Sequence, residues 1–193
     1  TPGSTKFYYG NPGEGVLSEY PHPKRDYAAF EIALEKSWDS NFNLMVSYVL
    51  SRNYGNFTGL YLQDWSSAVP NAGPQLDYLD MYDQNATGLL PNDRTHVFKA
   101  NASYRFDFGL TCAASFFWET GTPLSEYAGS HGWFGWQRNL VPRGSAGRLP
   151  SLWDLNLRLA YGPLFWNEAR FRPRFIMDVF HVGSQRQVVR QDQ

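Results

Sequence analysis

Apolar and polar side chains take strict turns in six separate stretches of this 193-residue chain, and a period of two admits one kind of secondary structure. Successive side chains of a β-strand point to opposite faces, whereas a helix repeats its apolar positions every three or four residues. Over residues 27–38, Ala28, Phe30, Ile32 and Leu34 fall on one face, and Ala29, Glu31, Ala33 and Glu35 on the other. Residues 42–54 oppose Phe42, Leu44, Val46, Tyr48 and Leu50 to Asn43, Met45, Ser47, Val49 and Ser51. Phe98, Ala100, Ala102, Tyr104 and Phe106 face away from Lys99, Asn101, Ser103 and Arg105 over residues 96–106. In 110–119, Leu110, Cys112, Ala114, Phe116 and Trp118 oppose Thr111, Ala113, Ser115, Phe117 and Glu119. Residues 152–161 set Trp153, Leu155, Leu157, Leu159 and Tyr161 against Asp154, Asn156, Arg158 and Ala160. The sixth stretch, 170–180, sets Phe171, Pro173, Phe175, Met177 and Val179 against Arg170, Arg172, Arg174, Ile176 and Asp178. Pro173 is its misfit, because a proline has no N–H for a central ladder and marks an edge or a bulge.

The connections alternate too. The links at Asp39-Ser40-Asn41, at Asp107-Phe108-Gly109 and over residues 162–168 are short and built from turn-tolerant residues. Between them lie two long stretches, 55–95 and 120–147, rich in Gly, Pro, Asn and Asp and without periodicity. Short turns on one side and long loops on the other are the pattern of outer-membrane barrels, where the long loops are extracellular. That topology predicts both chain ends on the extracellular side.

A soluble barrel or sandwich also alternates, so the lipid-facing reading needs further support. Each stretch has about the ten residues that a tilted strand needs to cross hydrocarbon, against about five or six in an ordinary strand. Aromatic rings gather at both ends: Trp38, Phe42, Tyr104, Phe106 and Tyr161 near the short links, Phe98, Trp118 and Trp153 near the long ones. Tyr and Trp favour the membrane interface, where the ring meets the apolar layer and the donor meets headgroups. Charged residues make up only 18% of the chain while aromatics reach 17%, as an interface-rich protein requires. Mean hydropathy is negative, and no run nears the roughly 18 apolar residues of a membrane helix, so strands must do any crossing.

The expected fold is therefore all-β: an antiparallel up-and-down transmembrane β-barrel, of which about six strands are present as a fragment of a larger barrel. Its expected home is the bacterial outer membrane, with membrane lipid against the apolar face. Glu31, Glu35, Lys99, Arg105, Asp154, Arg158, Arg172 and Arg174 then line a hydrated lumen. A net charge of −1 supplies no basic field for nucleic acid. Cys112 stands alone in the chain and reads as a small outward hydrophobe. Residues 1–20 lack the basic region, apolar core and cleavage site of a signal peptide, as expected of a mature or internal piece.

Several motifs resemble, in order, the C-terminal barrel of TonB-dependent outer-membrane receptors, particularly the Oar-like branch with long surface loops. They are Lys24-Arg25-Asp26-Tyr27, Ser47-Tyr48 with Ser51-Arg52, and Asn92-Asp93-Arg94 followed by His96 and Phe98-Lys99. Gly121-Thr122-Pro123, Pro142-Arg143-Gly144-Ser145-Ala146-Gly147-Arg148 and Leu155-Asn156-Leu157-Arg158-Leu159 with Tyr161 follow. The resemblance implies a wall of about 22 strands closed around a plug, with TonB acting through that plug. Plug and TonB box would lie outside this chain. Two features depart from the family pattern: His181-Val182-Gly183 replaces a polar and aromatic run, and Gln193 stands where a further strand would end.

No catalytic or metal site is expected. Gly129-Ser130-His131-Gly132 and Gly144-Ser145-Ala146-Gly147 sit on no strand-to-helix elbow, and His22, His96, His131 and His181 lack metal-ligand spacing. Asp64, Asp77, Asp80 and Asp83 share one loop without the spacing of an EF-hand, so no cofactor is expected either. The candidate ligand contacts are the loop aromatics Trp65, Tyr78 and Tyr82, with Trp133 and Trp136 beside Phe134 in the second loop. Exposed aromatics give contact area at low entropic cost, and they equally serve to pack loops together. The resemblance favours TonB-dependent active transport; a passive porin-like or structural barrel is the alternative, and an outer-membrane enzyme the weakest reading.

Overall fold

The computed structural model describes residues 10–37, 41–59, 85–129, 137–162 and 173–183. After a single 3-10 turn at Gly15–Leu17, the described chain is β throughout. Strand β1 spans Arg25–Lys36, β2 Phe42–Gly55, β3 Gly88–Leu89, β4 His96–Arg105 and β5 Leu110–Glu119. A short pair, β6 at Tyr127–Gly129 and β7 at Gln137–Asn139, precedes β8 at Leu152–Tyr161 and β9 at Phe175–Val179. The main sheet runs β1-β2-β4-β5-β8-β9, with β3 added to the end of β2. Every pairing is antiparallel, and the sheet is open, with β1 and β9 as its end strands.

Register joins the alternating patterns into two continuous faces. One rung runs Ile32, Tyr48, Phe98, Trp118, Trp153 across five strands, and another runs Leu44, Ala102, Ala114, Leu157, Val179. The opposite face carries Ser47 against Lys99, Asn101 against Ser115, Ser115 against Asn156, and Arg158 against Asp178. A slip of one residue at any pairing would mix the two sets, so apolar patterning fixes the register. The ten residues of β4, at about 3.3 Å each, extend roughly 30 Å; tilted by about 40°, they rise about 25 Å, the height of a lipid-facing band.

No second layer covers either face among the described residues. Phe30 is 59% exposed, Tyr104 43%, Leu157 39% and Phe175 62%. The apolar set is thus not gathered into a dry interior of the sheet. Burial concentrates elsewhere: Leu90, Ala86, Asn139 and Asp93 are fully buried and Leu149 nearly so, all in or beside the long connections.

Strand limits depart from the sequence pattern in instructive places. The first strand begins at Arg25 rather than Tyr27, because Lys24 opens it with backbone bonds to Asn56 and Phe57 at 3.0 and 3.2 Å. Phe106 leaves the ladder to close the turn, its N–H donating to the Leu110 carbonyl at 2.8 Å. Among the described residues of the last strand, expected over 170–180, the ladder runs from Phe175 to Val179. Pro173, described but outside the ladder, lacks the donor, and residues 163–172 lie outside the described set. At the other end His181 takes a left-handed φ of 55°, and Val182 N–H resumes pairing with the Leu155 carbonyl at 2.8 Å. The stretches 55–95 and 120–147, expected as loops, contain β3 and the β6–β7 hairpin respectively.

Aromatic rings close both rims of the apolar face. Tyr104, Phe106 and Phe108 pack in sequence at the short-turn end, edge-to-face and then tilted, with centroids 4.7 and 5.3 Å apart. At the loop end the His96 ring lies between Tyr48 and Trp118, and the Tyr48 hydroxyl shares a 2.7 Å hydrogen bond with His96 Nδ1.

Candidate functional site at the loop roots

Four strand ends converge on Asp93, a residue whose side chain is fully buried. Its Oδ1 accepts the backbone N–H of Asn53, near the end of β2, at 2.7 Å. Its Oδ2 accepts from the Thr95 hydroxyl, just before β4, at 3.0 Å and from Arg148 Nη2, just before β8, at 2.5 Å. Arg148 also donates from Nη1 to the Gly121 carbonyl, just after β5, at 2.9 Å, and from Nη2 to Thr95 Oγ1 at 2.7 Å. An ionised carboxylate out of water needs its lone pairs filled, and here charged and backbone donors fill both oxygens.

Arg94 binds the same rim. Its guanidinium donates to the Thr120 carbonyl at 2.8 Å and lies 3.3 Å from Glu119. The Ser51 hydroxyl donates to the Arg94 carbonyl at 2.8 Å, and Asn53 Nδ2 donates to Asn92 Oδ1 at 2.5 Å. Asn92 and Asp93 thus bind the end of β2, Asp93 also binds Arg148, and Arg94 binds the end of β5.

The segment 139–149 extends this clasp sideways. The Leu89 N–H donates to the Arg143 carbonyl at 3.1 Å, the Arg143 N–H to the Asn85 carbonyl at 2.9 Å, and Arg143 Nε to the Ala86 carbonyl at 2.9 Å. Asn85 Nδ2 in turn reaches the Asn139 and Leu140 carbonyls at 3.3 and 3.0 Å. Further along, Leu124 and Ala146 exchange with the same segment: Leu124 N–H meets the Gly147 carbonyl at 2.9 Å and Ala146 N–H the Leu124 carbonyl at 3.1 Å. Backbones approach so closely that side chains are excluded. A Cβ on Gly88 would stand 1.9 Å from the Arg143 carbonyl oxygen, and one on Gly121 would stand 1.7 Å from that of Leu149.

The sequence candidates for ligand contact, Trp65, Tyr78, Tyr82, Trp133 and Trp136, lie outside the described residues. Asn85 and Gln137 are the first described residues after those candidates, and Asn85 is bonded to Asn139 and Leu140. Ser145, from the glycine-flanked serine motif, sits in a turn with its N–H on the Pro142 carbonyl at 3.0 Å. Ser130 and His131 lie outside the described residues, and no metal-ligand cluster occurs among those described.

The sequence alone assigns no role to the motifs Asn92-Asp93-Arg94, Gly121-Thr122-Pro123 and 142–148. The fold brings all three into one clasp. An acid among turn residues is the signal the sequence offers, but its partner lies 55 residues away and periodicity cannot supply it.

Across the polar face a hollow of about 300 Å³ is lined by Asn101, Ser103, Ser115, Asn156, Arg158 and Phe180 among others. Arg158 grips Asp178 with Nε and Nη2 at 2.5 and 2.8 Å. Asp154 accepts from Asn156 Nδ2 at 2.8 Å and stands 2.8 Å from His181 Nδ1.

No family model matches the chain. No solved structure matches it either. Over 149 residues, 75% of this chain, it is 34% identical to the TonB-dependent transporter Oar of Myxococcus xanthus. The chain is a TonB-dependent receptor-related segment. This segment spans 14% of the length of that transporter, so it corresponds to a small part of such a protein. The main sheet of this segment is antiparallel and not closed among the described residues. That relative is named as a transporter.

Proposed function

We propose that this segment is part of the wall of an outer-membrane transporter, with the rung of Ile32, Tyr48, Phe98, Trp118 and Trp153 on its lipid face. In this reading the whole of residues 1–193 belongs to a partial transmembrane β-barrel, with the plug supplied from outside the chain. The polar face lines the aqueous lumen, and stretches 55–95 and 120–147 extend outside the cell. Transport is active: the plug, contacted by TonB, opens a path along this wall for a substrate that this segment does not identify. Trp65, Tyr78, Tyr82, Trp133 and Trp136 are proposed as ligand contacts on the loops.

The observation that carries this reading is the single-layer sheet whose apolar face is continuous across its strands and uncovered by any of the described residues. In water such a face is a large liability; against acyl chains each Leu, Ile or Phe gains about 1.5–3 kcal/mol of burial. The relationship to a TonB-dependent transporter supports the active mode over a passive pore.

Cys112 supplies the test, because it lies on the apolar face between Tyr104 and Leu159. In the full protein with other cysteines replaced, Cys112 should react with a lipid-soluble maleimide and resist a membrane-impermeant one. A cysteine placed at Ser103, on the opposite face, should show the reverse preference. Equal labelling of Cys112 by the impermeant reagent would overturn the reading. Planar bilayers carrying the full protein should show no steady conductance; an open pore would favour passive diffusion.

A further inference from the structure

We infer that residues 139–149 are a two-ended strap that makes the roots of the two long connections a single mechanical body, with the Arg148–Asp93 pair as its latch. The inference stands on the clasp geometry and does not depend on which face meets lipid. At one end Asn85 bonds the Asn139 and Leu140 carbonyls, and Arg143 is held through its N–H, its carbonyl and Nε by residues 85–89. At the other end Arg148 bonds Asp93, Thr95 and Gly121. Between the ends, backbone bonds tie the strap to Thr122 and Leu124.

Neither root has more than a short ladder to hold it. The segment 85–93 pairs with β2 at Gly88 and Leu89 and adds a Leu90 N–H bond to the Asn53 carbonyl, while the strap's ladder contacts among the described residues are Asn139 with Tyr127 of β6 and a bridge from Arg148 to Pro123. Each therefore takes part of its backbone bonding from the other, Leu89 N–H on the Arg143 carbonyl and Arg143 N–H on the Asn85 carbonyl, and Ala86, Leu90 and Leu149 are buried along the two. Opening one root would orphan buried donors on the other, so the two open together. A load applied to either connection is shared by both.

The test perturbs one end and reads the other, in the full receptor in its native membrane, by amide hydrogen exchange. Arg148→Gln is expected to raise exchange at least tenfold at the Leu89 and Arg143 amides, which sit at the far end. Asn85→Ala is expected to raise it likewise at Ala146 and Asp93. Ala100, within β4, should stay protected in both, showing that the sheet is intact. Loosening confined to the end that was altered, with the opposite end at its original rate, would overturn the inference. Should Arg148→Gln fail to assemble, Arg148→Lys keeps the charge and loses the fork. It must then give the same two-ended pattern at smaller size, and a one-ended pattern overturns the inference equally.

Discussion

Arg148 reaches back 55 residues to Asp93, closing the contact at 2.5 Å while its other terminal nitrogen holds the Gly121 carbonyl at 2.9 Å. The acid is completely buried and the guanidinium about one quarter exposed. Such a pair is costly to assemble and costlier to break on one side, because the survivor is left charged and without its partner.

Truncating Asp93 to alanine should therefore destabilise the loop roots by about 3–5 kcal/mol. Denaturant titration of the full receptor, read by protease cleavage within 139–149, would show the lowered midpoint. Replacing both partners together, Asp93→Leu with Arg148→Met, should recover most of the loss, since no lone charge remains.

Gly121→Ala places a methyl where the Leu149 carbonyl oxygen already stands, at 1.7 Å, and the backbone must move apart. The same titration should show a loss of about 1–3 kcal/mol or more. Gly162→Ala meets nothing within 4 Å and should leave the midpoint unchanged.

Adjacent residues on β5 should respond oppositely to charge. Ala114, paired with Ala102 and Leu157, belongs to the apolar face, while Ser115, paired with Asn101 and Asn156, belongs to the polar one. Ala114→Arg should cost about 2–4 kcal/mol at mid-membrane depth and deplete folded, heat-modifiable protein from the outer-membrane fraction. Ser115→Arg should leave that fraction near its original level.

The Arg158–Asp178 fork reports on what bathes the polar face. With Arg158 58% exposed, a double-mutant cycle of alanine replacements should give a coupling of about 0.2–1 kcal/mol, weakened by added salt. A coupling several times larger and independent of salt would mean that this face is dry, contrary to a water-filled lumen.

Alternation was legible because it repeats: five strands of ten or more residues each present the pattern several times, and the observed registers align the apolar sets across neighbours. The two-residue β3 and the three-residue strands β6 and β7 are too short for any period to show. Pro173 was recognisable as a misfit, yet where pairing resumes depends on partners in β8 rather than on the local sequence. His181 is similar, since its left-handed backbone is held by an N–H bond to Asn156 Oδ1 at 3.0 Å across the sheet. The clasp was the least legible feature. Its motifs stand out as turn-rich patches of sequence, but which arginine meets which acid is decided by strand order. The loop aromatics that looked most suited to a ligand lie outside the described residues, and their roots are where the fold speaks.

The clasp has a consequence for the order of assembly. Asn53, Asp93, Gly121 and Arg148 come from the ends of four different strands, and each brings a partner that exists only once its neighbours stand alongside in the correct alignment. Local chain segments cannot form it early, because its contacts span 27 to 55 residues and carry the entropy of closing those loops. Resistance to cleavage at 139–149 would then appear last along the route from unfolded chain to finished wall, serving as a stamp that the strands have docked in the right sequence.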